Sequence, residues 1–393
     1  VSSAFGLLRI AGIEVRAHWT WIFLLALITV VFGGGLATQP DTPFEPAWAW
    51  GSGIATAILV FLSVVAHELG HVAVARRDGI GGPVVVVQLL GGMYTMETRP
   101  RTAGQEFREA AIGPVLSLFL AAAMAGGYVL LDAVWGSAKE VPQAVLAAAF
   151  MAETLALFNV FLAVVNLVPG YPMDGARIVH AIAWAGSRRE DVANTAASRV
   201  GKVVGGAIII AGVIVAVGLD PWPGLGLILA GWMILGSSRL LDRRSALQGL
   251  LAGARAADAV SNDVQRIPAQ LTLDVFAGEY IRERLGDAAL VERVGEPAGI
   301  VGTAQIRRLG PRKWPETRTE EAMVPLARVP RVPADLDLWS TVEALERSGL
   351  DAVIVEGVDP EPALLTRRSA AMLVHGLAEA KAKRAISGPP EQG

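Results

Sequence analysis

Residues 54–78 read IATAILVFLSVVAHELGHVAVARRD. The stretch starts as an apolar run long enough to enter a bilayer and then carries His67-Glu68-Leu69-Gly70-His71. On a helix, His67 and His71 fall one turn apart on the same face. There a single zinc ion can take both imidazoles, with Glu68 beside them as a general base. An ionisable side chain inside lipid is costly, which marks the cluster as functional rather than decorative.

The rest of the chain suits a membrane. Of its 393 residues 53% are hydrophobic and only 18% charged, and the mean hydropathy is +0.46, too apolar for an ordinary soluble domain. A formal net charge of -3 gives no basis for nucleic-acid binding. The absence of cysteine excludes disulfides and thiolate zinc ligands. Any metal site must therefore draw on His18, His67, His71, His180, His375 and carboxylates.

Hydropathy predicts six spans, at roughly 19–37, 52–75, 109–131, 145–168, 202–219 and 223–241. The first lacks a small-residue cleavage site and reads as a retained helix, preceded by an amphipathic lead-in over 1–17. The third is read as opening at Ile112-Gly113-Pro114, and the fourth as breaking at Pro169-Gly-Tyr-Pro172. Between the second and third, the β-branched run Val84-Val85-Val86-Val87 and the glycines Gly91-Gly92 signal extended backbone too short to span as a helix. Residues 84–97 are expected to form a membrane-associated β-hairpin, covered by protein or water. Lysine and arginine placement sets the orientation. Arg9, Arg16, Arg76, Arg77, Arg99, Arg101 and the later basic residues through Arg244 fall on one side, and Lys139 alone on the other. Six spans with both termini cytoplasmic and the histidine turn near the cytoplasmic face follow.

Catalytic zinc takes three protein ligands and leaves a position open for water. The in-membrane carboxylates considered are Glu153, in unbroken apolar sequence, and Asp174, beside Gly175 where two prolines interrupt the helix. Asp174 can face a wet cavity and is the better third ligand. His180, six residues on, is off its helical face and reads as a cytoplasmic-side polar residue. His18, beside Trp19, reads as an interfacial anchor.

His67-Glu68-x-x-His71 in one span and Asn166-x-x-Pro169-x-x-Pro172-x-Asp174-Gly175 in a later one together resemble the site-2 protease family of intramembrane zinc proteases. Gly91-Gly92, Gly113-Pro114 and Asn159 extend the likeness over roughly 5–245, with Ile112 a departure from the alanine common before Gly-Pro. The resemblance implies one zinc ion per chain held by His67, His71 and Asp174, Glu68 as the base, and cleavage of peptide bonds in or beside transmembrane helices. Substrate contacts would fall at Asn166, Asn159, Gly91 and Gly92. A helical peptide bond must unwind before water can attack, and an edge strand at 84–90 could hold the unwound segment by β-augmentation.

After Arg244 the composition turns soluble, and 255–310 and 318–376 look like two copies of one α/β unit, followed by a disordered tail at 384–393. The pair resembles tandem CBS domains, so the fold class is a polytopic α-helical membrane domain over 1–245 plus a cytoplasmic CBS pair. Nucleotide-binding members of that class place an aspartate three residues past a Thr or Ser in the closing turn. Ile306 and Ser369 stand there, which argues against an adenine nucleotide and for homodimerisation or gating. The expected function is an endopeptidase of regulated intramembrane proteolysis in the plasma membrane. Its partner would be a single-span substrate such as an anti-sigma factor or a remnant signal peptide. The rivals are a CBS-gated transporter, which would need polar residues spread over several spans, and an inactive scaffold, which would not need Glu68.

Overall fold

Seven helices make up the helical part of the first unit in the computed structural model: α1 (Thr20–Thr38), α2 (Pro46–Arg77), α3 (Ala103–Trp135), α4 (Gln143–Leu167), α5 (Asp174–Ser187), α6 (Glu190–Gly218) and α7 (Pro221–Leu251). Residues 4–10, 12–88, 91–96, 100–281, 288–359 and 361–387 are described. Among them, all of these helices but α5 are long and apolar enough to cross a membrane. Outward-facing side chains such as Phe119, Leu130, Phe161 and Val217 are large, apolar and exposed, while Ala49, Ala57, Ala110 and Ala163 are buried. That is the inside-out pattern of helices that meet lipid and pack on small residues. The chain divides into two units, Val1–Arg243 and Arg244–Gly393.

Helices α2, α3 and α6 begin well before the positions hydropathy predicts, and local chemistry explains the first two. Helix α2 starts at Pro46, with proline in the first turn where its missing N–H costs nothing. At 32 residues it is on the order of 48 Å long, well beyond a hydrocarbon core of about 30 Å. Helix α3 starts at Ala103 because Thr102 accepts from the Gln105 amide at 3.2 Å while Gln105 Oε1 accepts from the Arg101 amide at 2.8 Å. Reciprocal capping of this kind starts a helix irrespective of hydropathy. Pro114 therefore lies inside α3 rather than opening it.

The N-terminal lead-in is not an amphipathic helix. It forms strands β1 (Ala4–Ile10) and β2 (Ile13–His18), which join β3 (Gly81–Gln88) and β4 (Gly91–Met96) in one sheet of order β1-β2-β3-β4. Strands β3 and β4 pair antiparallel, Val86 opposite Met93, as a hairpin would. Strand β2 pairs parallel with β3, Val15 opposite Val85. Of the expected edge strand at 84–90, residues 84–88 are interior, with β2 on one side of β3 and β4 on the other, leaving β1 and β4 at the edges; 89–90 lie outside the described residues. Along β2, buried Ile13, Val15 and Ala17 alternate with half-buried Glu14, Arg16 and His18, the period of a half-covered strand. The buried set packs with Val85 and Val87 of β3 against Trp21, Val65 and Val72. Because Val65 and Val72 flank the histidine turn of α2, the sheet lies directly on that turn.

The second unit repeats one order of elements. In its first half, β5 (Arg266–Pro268) pairs parallel with β6 (Ala288–Arg293), which pairs antiparallel with β7 (Glu296–Gly302), and α8 (Thr303–Leu309) follows. Strand β8 (Val324–Pro325) closes that sheet. In its second half, β9 (Arg331–Pro333) leads through α9 (Leu338–Ser348) to β10 (Ala352–Glu356), parallel to it, and β11 (Ala363–Thr366), antiparallel, before α10 (Arg367–Ser387). Leu290 and Ile300 from one sheet share a buried cluster with Ile354 and Leu364 from the other. The expected tail begins later than 384, since α10 runs to Ser387; residues 388–393 lie outside the described residues.

Candidate metal centre

Helix α2 carries His67, Glu68 and His71 as buried residues, 2%, 7% and 2% exposed. Their ring centroids place the two imidazoles 4.9 Å apart, as one helical turn requires. Asp174, first residue of α5, meets both: its Oδ2 is 3.2 Å from His67 Nε2 and 3.2 Å from His71 Nε2. One ligand atom from each of the three residues lies within 4.8 Å of the others, and no further residue joins this group among those described. Asp174 reaches the site because Gly175 lets α5 start hard against the end of α4. A Cβ at that position would sit 2.3 Å from the Leu167 carbonyl oxygen.

Helix α3 holds the far side of both rings. His71 Nδ1 donates to the Glu109 carbonyl at 2.7 Å, which fixes its tautomer and leaves Nε2 with a lone pair toward Asp174. His67 Nδ1 is 2.9 Å from Ser117 Oγ. Pro114, inside α3 one turn beyond Glu109, cannot donate to the Ala110 carbonyl, so the helix ladder is interrupted next to the residue that holds His71. Between these two contacts lies Gly113, whose hypothetical Cβ would fall 2.3 Å from His71 Nε2 and 2.6 Å from His67 Nε2.

A divalent cation fits this arrangement. With a proton on each Nδ1, two imidazole lone pairs and a carboxylate face one another with no donor between them, a repulsive set that a cation resolves. Ligand atoms around tetrahedral zinc stand about 3.3 Å apart, against 3.2 Å here. Nitrogen and carboxylate oxygen are also the donors zinc takes in catalytic sites.

The remaining expected residues fall elsewhere. Glu153 is exposed. Asn159 is 1% exposed, and its amide donates to Ser63 Oγ at 3.1 Å and to the Leu155 carbonyl at 2.9 Å. Those two bonds brace α4 against α2 through the amide nitrogen. Asn166, half-buried, donates to the Leu162 carbonyl at 2.9 Å. Gly91 and Gly92 open β4 opposite Gln88 and Val87. His180 is buried, 5% exposed, and its Nδ1 lies 2.7 Å from Glu106 Oε2. His18 Nδ1 contacts Thr20 Oγ1 at 3.0 Å and its ring lies against Trp19. Sequence reasoning missed Ser117 and the charged residues Glu106, Glu109 and Arg177. The signal was present for Glu109, a carboxylate at the mouth of a predicted span.

Comparison with known proteins places this geometry in context. The profile described as peptidase family M50 matches residues 137–212. The chain is 31% identical over 357 residues to Rip3 of Mycobacterium tuberculosis, which its name assigns provisionally to the zinc metalloproteases; the match covers 89% of this chain and 87% of that one. A Synechocystis protein named on the same provisional terms is 29% identical over 349 residues, 88% of each chain. Among solved structures, the site-2 protease from Methanocaldococcus jannaschii aligns with 26% identity and a TM-score of 0.37, over 60% of this chain and 94% of that one.

Proposed function

Since the chain belongs to peptidase family M50, the site-2 proteases, and is a multi-pass membrane zinc metalloprotease, we propose that it hydrolyses peptide bonds in or near the transmembrane helices of single-span substrates. The observation that carries this reading is the convergence of His67 Nε2 and His71 Nε2 on Asp174 Oδ2, beside buried Glu68. Zinc held by His67, His71 and Asp174 would supply Lewis acidity to the scissile carbonyl and to the attacking water. Glu68 takes a proton from that water as it adds to the carbonyl carbon and returns it to the amide nitrogen, which leaves as the amine. The burial of His67 and His71 shields one side of the centre from bulk water, while half-buried Asp174 borders the side from which water can enter.

The substrate has to arrive unwound, because a helical carbonyl is tied to an amide one turn away. Strand β4 is the sheet edge on the hairpin, and its free side can pair with an extended segment. This replaces the interior run at 84–87 as the presenting strand. Beyond residue 244, the strand order shared by both halves, a parallel pair followed by an antiparallel strand and a helix, supports a tandem CBS pair, with gating or homodimerisation as its role. An anti-sigma factor or a remnant signal peptide fits the substrate class. The buried ionisable side chains described in the first unit, His67, Glu68, His71, Glu106, Glu109 and His180, gather at one locus, which disfavours a transporter.

The test is purified full-length protein with a reporter membrane substrate. Glu68→Gln is expected to keep stoichiometric zinc and lose at least about a hundredfold in cleavage rate, while Asp174→Ala loses the metal. Full proteolysis by Glu68→Gln would overturn the mechanism.

A further inference from the structure

Helix α5 carries the third ligand at a weak point. Asp174 is its first residue, the preceding Met173 provides no side-chain cap, and uncapped first turns fray. Yet α5 turns three polar side chains toward its neighbours: Asp174 meets the histidines of α2, and Arg177 and His180 face α3. Helix α3 answers with Glu109 and Glu106. Arg177 Nη2 lies 2.9 Å from Glu109 Oε1, and His180 Nδ1 2.7 Å from Glu106 Oε2.

Glu109 stands at the junction. Its carbonyl accepts from His71 Nδ1, and its carboxylate, fully buried, pairs with Arg177. Neither carboxylate oxygen has an aligned hydrogen bond among the described residues, so it is the guanidinium charge that keeps this carboxylate in place. Two apolar side chains would serve stability alone as well as such a pair or better. What the pair adds is register between two helices.

We propose that Glu109 and Arg177 are positioning residues of the metal centre. Their ion pair ties the helix bearing Asp174 to the residue whose carbonyl holds His71, so that one contact keeps the second and third ligands in register. The inference rests on the zinc assignment of the preceding section. Outer partners of metal ligands commonly govern affinity by ten- to a hundredfold.

The experiment measures the zinc dissociation constant of the full-length protein by chelator competition, the absorption spectrum of its cobalt-substituted form, and apo-protein melting. The variants are Arg177→Met, Arg177→Lys and the neutral double Glu109→Gln/Arg177→Met. Both methionine variants are expected to raise the zinc dissociation constant roughly tenfold to a hundredfold and to alter the cobalt spectrum, while Arg177→Lys restores binding in part. A double variant that melts like the wild type and binds zinc within twofold of it would overturn the proposal, because the pair would then be structural only. Should Arg177→Met fail to fold from its unpaired buried carboxylate, the neutral double carries the same comparison. Wild-type protein that binds no zinc would instead count against the zinc assignment itself.

Discussion

Gly113 sets how closely α3 can approach the two imidazoles. The Cβ of an alanine would fall 2.3 Å from His71 Nε2 and 2.6 Å from His67 Nε2, inside any permitted contact, and neither ring can retreat without leaving Glu109 or Ser117. Gly113→Ala is therefore expected to lose at least about a tenfold factor in zinc affinity, an overpacking strain of about 1–3 kcal/mol. Metal content after desalting reads it directly, and stoichiometric zinc in that variant would show that the helices can part. His67, Glu68 and His71 were legible because they are neighbours in sequence, and Asp174 because a proline-broken motif announces it. Ser117, Glu109 and Arg177 were not, since their partners depend on which face of one helix meets which face of another. Nothing within a single helix records that choice. The burial of His180 was hidden for the same reason: its partner Glu106 is 74 positions away.

Among the elements, β4 has the most exposed consequence. Consecutive residues of a strand point their amides to opposite sides, so of Met93 and Tyr94 one donates toward β3 and the other toward the open edge. Proline at the outward position removes a donor from the edge without touching the β3 pairing. It is expected to raise KM for a membrane substrate several-fold while zinc content stays at one per chain. Proline at the other position breaks the hairpin. If both variants cleave with unchanged KM, substrate does not pair here. The hairpin was legible from four consecutive valines followed by glycines. Strands β1 and β2 were not, although Ile13, Val15 and Ala17 keep a clean period of two. The run is only 6 residues long, and its parallel partner β3 lies beyond two intervening helices. The same parallel pairing is what turned the expected edge strand into an interior one.

At the scale of the whole molecule, the lack of cysteine makes topology directly testable. Lys139→Cys is expected to react with a membrane-impermeant maleimide in intact cells, and Arg188→Cys only after permeabilisation. The reverse pattern would invert the orientation read from lysine and arginine placement. In the second unit, a cavity of about 360 Å³ is lined by Asp258, Asp263, Arg368 and Ser369 among others. Ser369 Oγ already donates to the Ala259 carbonyl at 2.7 Å and accepts from the Thr366 amide at 3.0 Å, while Ile306 is buried. Neither position offers a carboxylate to a ribose, so calorimetry with ATP, ADP and AMP is expected to give at most millimolar binding, about -4 kcal/mol; micromolar affinity would reverse that reading. The boundary between the two units follows a shift in composition and so was easy to see, whereas the packing within each unit was not. One feature also bears on how the protein is made. Asp174 follows His67 by 107 positions, across two further long helices. A chain still leaving the ribosome thus owns the histidines and the base long before it owns the residue that completes the set. Until α5 has emerged and docked, the growing polypeptide lacks its third ligand, so metal acquisition and activity wait on the docking of that helix.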